Sequence, residues 1–133
     1  MRSRRAVTLA EMLLATALVA VAILAVMAVF VSSMKLMSQS TEVSSATQVG
    51  REFLENTKRA GYANVTVGNF DGRGATPTAP NAVTLFPLAP YPKRDRYSLV
   101  VNATTYTATV KTVQVDVYFS TNSKISLVTL IHQ

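Results

Sequence analysis

The sequence predicts an α+β protein: a long N-terminal helix whose second half packs on a small antiparallel sheet, in the manner of a lollipop. Three observations carry that prediction. An apolar run over residues 12–31 continues into a helical periodicity that lasts to residue 60. Residues 61–92 hold four of the five glycines and all five prolines. Residues 97–131 alternate apolar and polar side chains with the period of a strand.

The apolar run comes first. It is 20 residues of Ala, Leu, Val, Ile, Met and Phe, broken only by Thr16 and free of Gly and Pro. As a helix rising 1.5 Å per residue it spans roughly 30 Å, the thickness of a bilayer core. Arg2, Arg4 and Arg5 precede it, and Glu11 is the only charged residue between Ala6 and Met34. The positive-inside rule then places the N-terminus in the cytoplasm and the remainder outside. Those three arginines also supply half of the formal net charge of +6. The basic pI therefore belongs largely to the leader and argues little for nucleic-acid binding.

The helical pattern does not stop at the end of the run. Leu36, Val43, Ala46, Gly50, Phe53, Leu54 and Thr57 draw one face, while Ser38, Gln39, Glu42, Gln48, Arg51, Glu52 and Lys58 fall largely on others. Lys58 and Arg59 suit the negative end of the helix dipole, and Gly61 stands at the C-terminal cap position. One helix is expected over residues 7–60, reaching roughly 80 Å at 1.5 Å per residue. Its Ser/Thr-rich stretch 38–45 is the place for fraying or a kink. Residues 61–92 read as a loop region, with a turn at Asn69-Phe70-Asp71-Gly72 and a short edge strand over 83–88 ended by Pro87. The sheet is expected over residues 96–132 as a meander of strands at 97–101, 105–110, 113–119 and 125–131. Its turns fall at Asn102-Ala103 and Thr121-Asn122.

Composition excludes much chemistry. With no cysteine there is no disulfide and no thiolate metal site, and His132 is the only histidine. Asp71, Asp95 and Asp116 fall in a loop, a charged turn and the polar face of a strand, so no paired carboxylates emerge for acid–base work. Asp71-x-Arg73 lacks the ligands of a calcium loop. No enzyme activity, cofactor or metal is expected. One basic cluster, Lys93-Arg94-Asp95-Arg96 between Tyr91 and Tyr97, interleaves cations with aromatics as single-stranded DNA contacts do. It reads equally as a charged turn that keeps a sheet edge soluble.

The N-terminal segment admits several readings. It fits a secretory signal with a cleavage site at Val26-Met27-Ala28, or a plain signal anchor holding an extracytoplasmic binding domain. Thr8-Leu9-Ala10-Glu11 alone fits a capping box, Ser/Thr-x-x-Glu before an apolar run. Taken together, Arg5-Ala6-Val7-Thr8-Leu9-Ala10-Glu11 and the following apolar 20-mer resemble the processing and assembly signature of type IV prepilins and type II secretion pseudopilins. Thr8, Leu9 and Glu11 match that pattern. Ala6 stands where the family usually has Gly, Val7 where it has Phe, and Ala10 where it has Ile or Val. The terminal strand pair, 113–119 and 125–131, is similar to the closing hairpin of accessory pilins and pseudopilins.

The resemblance implies a basic leader of residues 1–6, cut by a prepilin peptidase between Ala6 and Val7, with methylation of the new N-terminus. It implies a helix that is a transmembrane anchor over 12–31 before assembly and filament core afterwards, and a globular head over 61–133. Glu11 would pair with the N-terminal amine of the neighbouring subunit, which fits the cost of an unpaired carboxylate near lipid, about 3 kcal/mol at mid-bilayer. The expected partners are other pilin subunits, the peptidase, an inner-membrane assembly platform and membrane lipid. The expected location is the bacterial inner membrane, then a periplasmic or cell-surface filament.

Overall fold

A computed structural model describes residues 8–133; the expected leader, residues 1–6 with Ala6 at its end, and the expected new N-terminus Val7 lie outside the described residues. The fold is α+β. Helix α1 runs Leu9–Ala60, a short 3-10 turn follows at Tyr62–Asn64, and five strands make one antiparallel sheet. These are β1 (Gly68–Asp71), β2 (Lys93–Arg94), β3 (Tyr97–Thr107), β4 (Val110–Tyr118) and β5 (Lys124–His132). The sheet order is β1-β3-β4-β5, with β2 also paired to β3. The chain divides into two compact units between Ser40 and Thr41.

In the first unit α1 is helical throughout, and no break marks the Ser/Thr-rich stretch from residue 38. In the second unit the remainder of α1 lies on the sheet. Ala46, Val49, Gly50, Phe53 and Thr57 form its buried face, at the steps of one, three and four that put residues on one side of a helix. Opposite them lie Tyr97, Leu99, Val101 and Ala103 of β3 and Val113, Val115 and Val117 of β4, all buried. Burying each such side chain contributes about 2 kcal/mol. Phe86 and Phe70 extend this core, their rings edge-on at 5.5 Å. The helix ends where the sequence placed its cap: Gly61 adopts φ 79°, and its amide donates back to the Thr57 and Lys58 carbonyls.

Several sequence expectations change. The turn placed at Asn69-Phe70-Asp71-Gly72 is strand β1, because Phe70 faces the core and pairs with Val101 of β3. No strand forms over 83–88. Instead the Asn81 side chain accepts from the Val83 and Thr84 amides, and that closed loop delivers Phe86 into the core. The turn placed at Asn102-Ala103 is mid-strand. Ala103 keeps the alternation going by facing the core, so β3 is one eleven-residue strand and the reversal comes at Ala108–Thr109.

Candidate functional site

At the start of α1, Thr8 and Glu11 form a reciprocal cap. The Glu11 carboxylate accepts from the Thr8 amide at 3.0 Å and the Thr8 hydroxyl at 3.2 Å, and the Thr8 hydroxyl oxygen accepts from the Glu11 amide at 3.3 Å. This satisfies amides that a helix start leaves without partners, and a negative group there also suits the helix dipole. The structure therefore joins Thr8 to Glu11, and places Leu9 beside them as the first helical residue.

Beyond the cap the helix surface is apolar all round. An 18-residue window of α1 reaches a mean hydropathy of 2.9, long and apolar enough to cross a membrane. Leu13, Leu18, Ile23, Leu24 and Phe30 are among its many exposed large side chains. Thr16, its one polar residue, donates its hydroxyl to the Met12 and Leu13 carbonyls, both at 3.0 Å. Its hydrogen is thus satisfied within the helix, as an apolar surrounding requires.

The basic cluster is divided by the fold. Lys93 and Arg94 form β2, and Asp95, at φ 53°, turns the chain so that Arg96 leads into β3. Arg94 is ion-paired with Glu52, and Arg96 lies 3.2 Å from Glu42. Two of the three candidate phosphate contacts therefore hold the hairpin against α1, and Lys93 is exposed. The Arg96 guanidinium also lies 5.4 Å from the centre of the Tyr97 ring.

Two polar groupings on the head were not legible as such. Asp116, expected on a solvated strand face, is only 8% exposed. It sits across the sheet between Val100 of β3 and Ser126 of β5. Burial alone would push its carboxyl up, but hydrogen bonds from Lys124, Gln114 and Ser126 outweigh that and hold it below the usual carboxylate range. Nearby, an open groove of about 600 Å³ is lined by Asp71, Arg73, Arg96, Ser98 and Tyr118. Its charges are already paired: Arg96 with Glu42, and Asp71 with Arg73. Arg73 makes a bidentate pair with Asp71, holding that carboxyl below its usual range, and stacks 4.5 Å from the Tyr118 ring centre. Among the described residues, no group of three or more His, Asp or Glu could hold a metal ion.

No protein-family model, curated protein or solved structure matches the chain.

Proposed function

We propose that the chain is a structural subunit of a pilin-like filament: a type IV pilus, a type II secretion pseudopilus or a competence filament. It polymerises through its N-terminal helix. The observation that carries this reading is a conjunction at one helix end. Glu11, the only charge between Ala6 and Met34, stands at the start of a helix segment whose large side chains are apolar and exposed. A plain anchor would use that carboxylate only as a helix cap. A subunit that leaves the bilayer for a protein core has a second use for it, because an acid paired with a neighbour's amine favours the second location.

In this reading hydrolysis of the Ala6–Val7 peptide bond frees the Val7 amine. The released subunit then rests in the cytoplasmic membrane until the assembly platform adds it to a filament. N-terminal sequencing of membrane material is the test. A start at Val7, methylated on its amine, supports the proposal. An intact Met1 points to a signal-anchored extracytoplasmic domain, and a start at Val29 to a secretory signal. Either overturns it.

A further inference from the structure

The core of the head is left open along one side. One flank of α1 is held to the β2 side of the sheet: Glu42 and Glu52 pair with Arg96 and Arg94, and the Asn56 side chain donates to the Ala89 carbonyl. The other flank meets β5, where Gly50 lies against Leu127 and Leu54 follows one turn on. Leu54, Ile125 and Leu127 pack on the core yet are only partly buried. On the opposite face of β5, Val128 is 59% and Leu130 47% exposed. The strand is nine residues long, without proline, and without charge from Ile125 to Ile131. Among the described residues β4 is its only neighbouring strand.

Two hydrogen bonds show which backbone groups of β5 face outward. Gln133 donates to the Thr109 carbonyl at 2.9 Å, and Phe119 to the Ser123 carbonyl at 3.1 Å. In antiparallel pairing such bonds recur at every second residue. The odd-numbered residues therefore bond to β4, and the backbone groups of Ser126, Val128 and Leu130 point away from the sheet. A strand laid along β5 would meet these groups and aliphatic side chains on both faces. The ends of β5 set no demand for an opposite charge, since Lys124 is ion-paired with Asp116 and His132 counts as neutral at pH 7. The fitting occupant is an uncharged strand with aliphatic residues on both faces, and β5 is itself such a strand. Paired with its own copy about Val128, it sets Val128 opposite Val128, Ser126 opposite Leu130 and Ile125 opposite Ile131. Even residues then oppose even residues, so outward amides meet outward carbonyls along the whole strand. A two-fold axis generates this register, as in most closed dimers.

We propose that the β5 edge takes β5 of a second copy of this chain, antiparallel and centred on Val128, so that two heads share one continuous sheet. The proposal concerns residues 41–133 and does not depend on filament assembly. The chain has no cysteine, so single cysteines report the register on the full chain in detergent micelles. In this pairing the two Val128 Cα atoms lie about 5.5 Å apart, within disulfide reach. The two Leu130 Cα atoms lie about 15 Å apart, beyond it. Under mild oxidation Val128→Cys should give at least tenfold more crosslinked dimer than Tyr106→Cys, whose side chain is also exposed but lies on β3. Leu130→Cys should give no more than Tyr106→Cys. Adding Leu130→Pro to Val128→Cys should abolish the crosslink, because it removes an outward amide and spares the bonds to β4. Equal yields from Val128→Cys and Tyr106→Cys overturn the proposal, and so does a crosslink that survives Leu130→Pro. A Leu130→Cys yield matching that of Val128→Cys also overturns it, since that marks contact without register. Association through the apolar segments alone would raise all three yields together, which is the first of these overturning outcomes.

Discussion

Glu11 serves two purposes that substitutions separate. The carboxylate caps α1 through Thr8 whatever the protein does, so the capping contacts alone do not speak for assembly. Thr8→Val removes both hydroxyl contacts and keeps the acid, costing about 1 kcal/mol at the helix start. Glu11→Ala removes the acid and the two cap contacts it accepts, leaving only the backbone amide bond to the Thr8 hydroxyl. If the acid pairs with a neighbour's amine in a dry core, its loss costs about 3 kcal/mol per subunit, roughly a hundredfold in incorporation. The expected outcome is normal membrane insertion for both variants and loss from sheared filaments only for Glu11→Ala, read by immunoblot. Equal incorporation of the two variants removes the pairing role and leaves the cap. Asp116 makes a different prediction. Its carboxyl is held below the range it has in an unfolded chain, chiefly by Lys124, Gln114 and Ser126 against the opposing effect of burial. The stability it contributes is therefore complete above the ordinary carboxylate pKa and is lost as pH falls from about 4 towards the folded value. Asp116→Asn should cost about 2 kcal/mol near neutrality. The gap from wild type should narrow in urea titrations below pH 4, and a constant gap down to pH 3 contradicts the assignment. The sequence showed that Asp116 belongs to the face away from the helix. It did not show the burial, which depends on Lys124 and Ser126 reaching it across the β4–β5 register.

Among the elements, two glycines separate a close approach that side chains can relieve from one that they cannot. A Cβ on Gly50 of α1 would lie 2.5 Å from the Leu127 Cδ1 atom, the far end of a side chain that can turn aside. On Gly72, just after β1, it would lie 2.5 Å from both the Leu99 and Pro92 carbonyl oxygens, which are backbone fixed by pairing. Gly50→Ala should therefore stay within about 1 kcal/mol of wild type, since the gain in helix propensity offsets the displacement of Leu127. Gly72→Ala should lose about 2 kcal/mol. Chemical denaturation of both variants checks the order, and a Gly50→Ala loss exceeding that of Gly72→Ala refutes it. These contacts also explain which elements were legible. The second half of the helix and the strands β4 and β5 follow from periodicity, because each turns one face to the core, while the first half follows from its unbroken apolar run. Strand β1 did not, since Phe70 is its one buried residue and its neighbours Asn69 and Gly72 carry turn chemistry. The length of β3 was hidden because Asn102 and Ala103 read as a turn, although Ala103 is small only to suit the core and Asn102 lies on the outer face.

Across the whole molecule, the two units differ in where their apolar side chains lie. Every buried core residue, from Ala46 to Ile131, lies beyond the division at Ser40. Among the described residues the first unit has no buried side chain, and its large apolar side chains are exposed in a surface that water disfavours. The sequence conveyed this partition through one local excess of hydrophobicity, and it conveyed the N-terminal site as far as Thr8 and Glu11. It conveyed much less about the head's surface. The ion pairs that tie Arg94 and Arg96 to α1 join residues more than 40 apart in the chain, a pairing that no local pattern encodes. The partition predicts that residues 41–133 fold without the segment before them. That fragment keeps the whole core, the Glu42–Arg96 and Glu52–Arg94 pairs and the Gly61 end of the helix. It loses only the Thr8 cap, leaving a frayed first turn that costs about 1 kcal/mol. For a domain of this size that lowers the thermal midpoint by about 4–8 °C at most. The fragment should be soluble without detergent and melt in one cooperative transition by circular dichroism. A broad transition, or a midpoint lowered by twice that amount, would mean that the folding of residues 41–133 depends on the apolar segment.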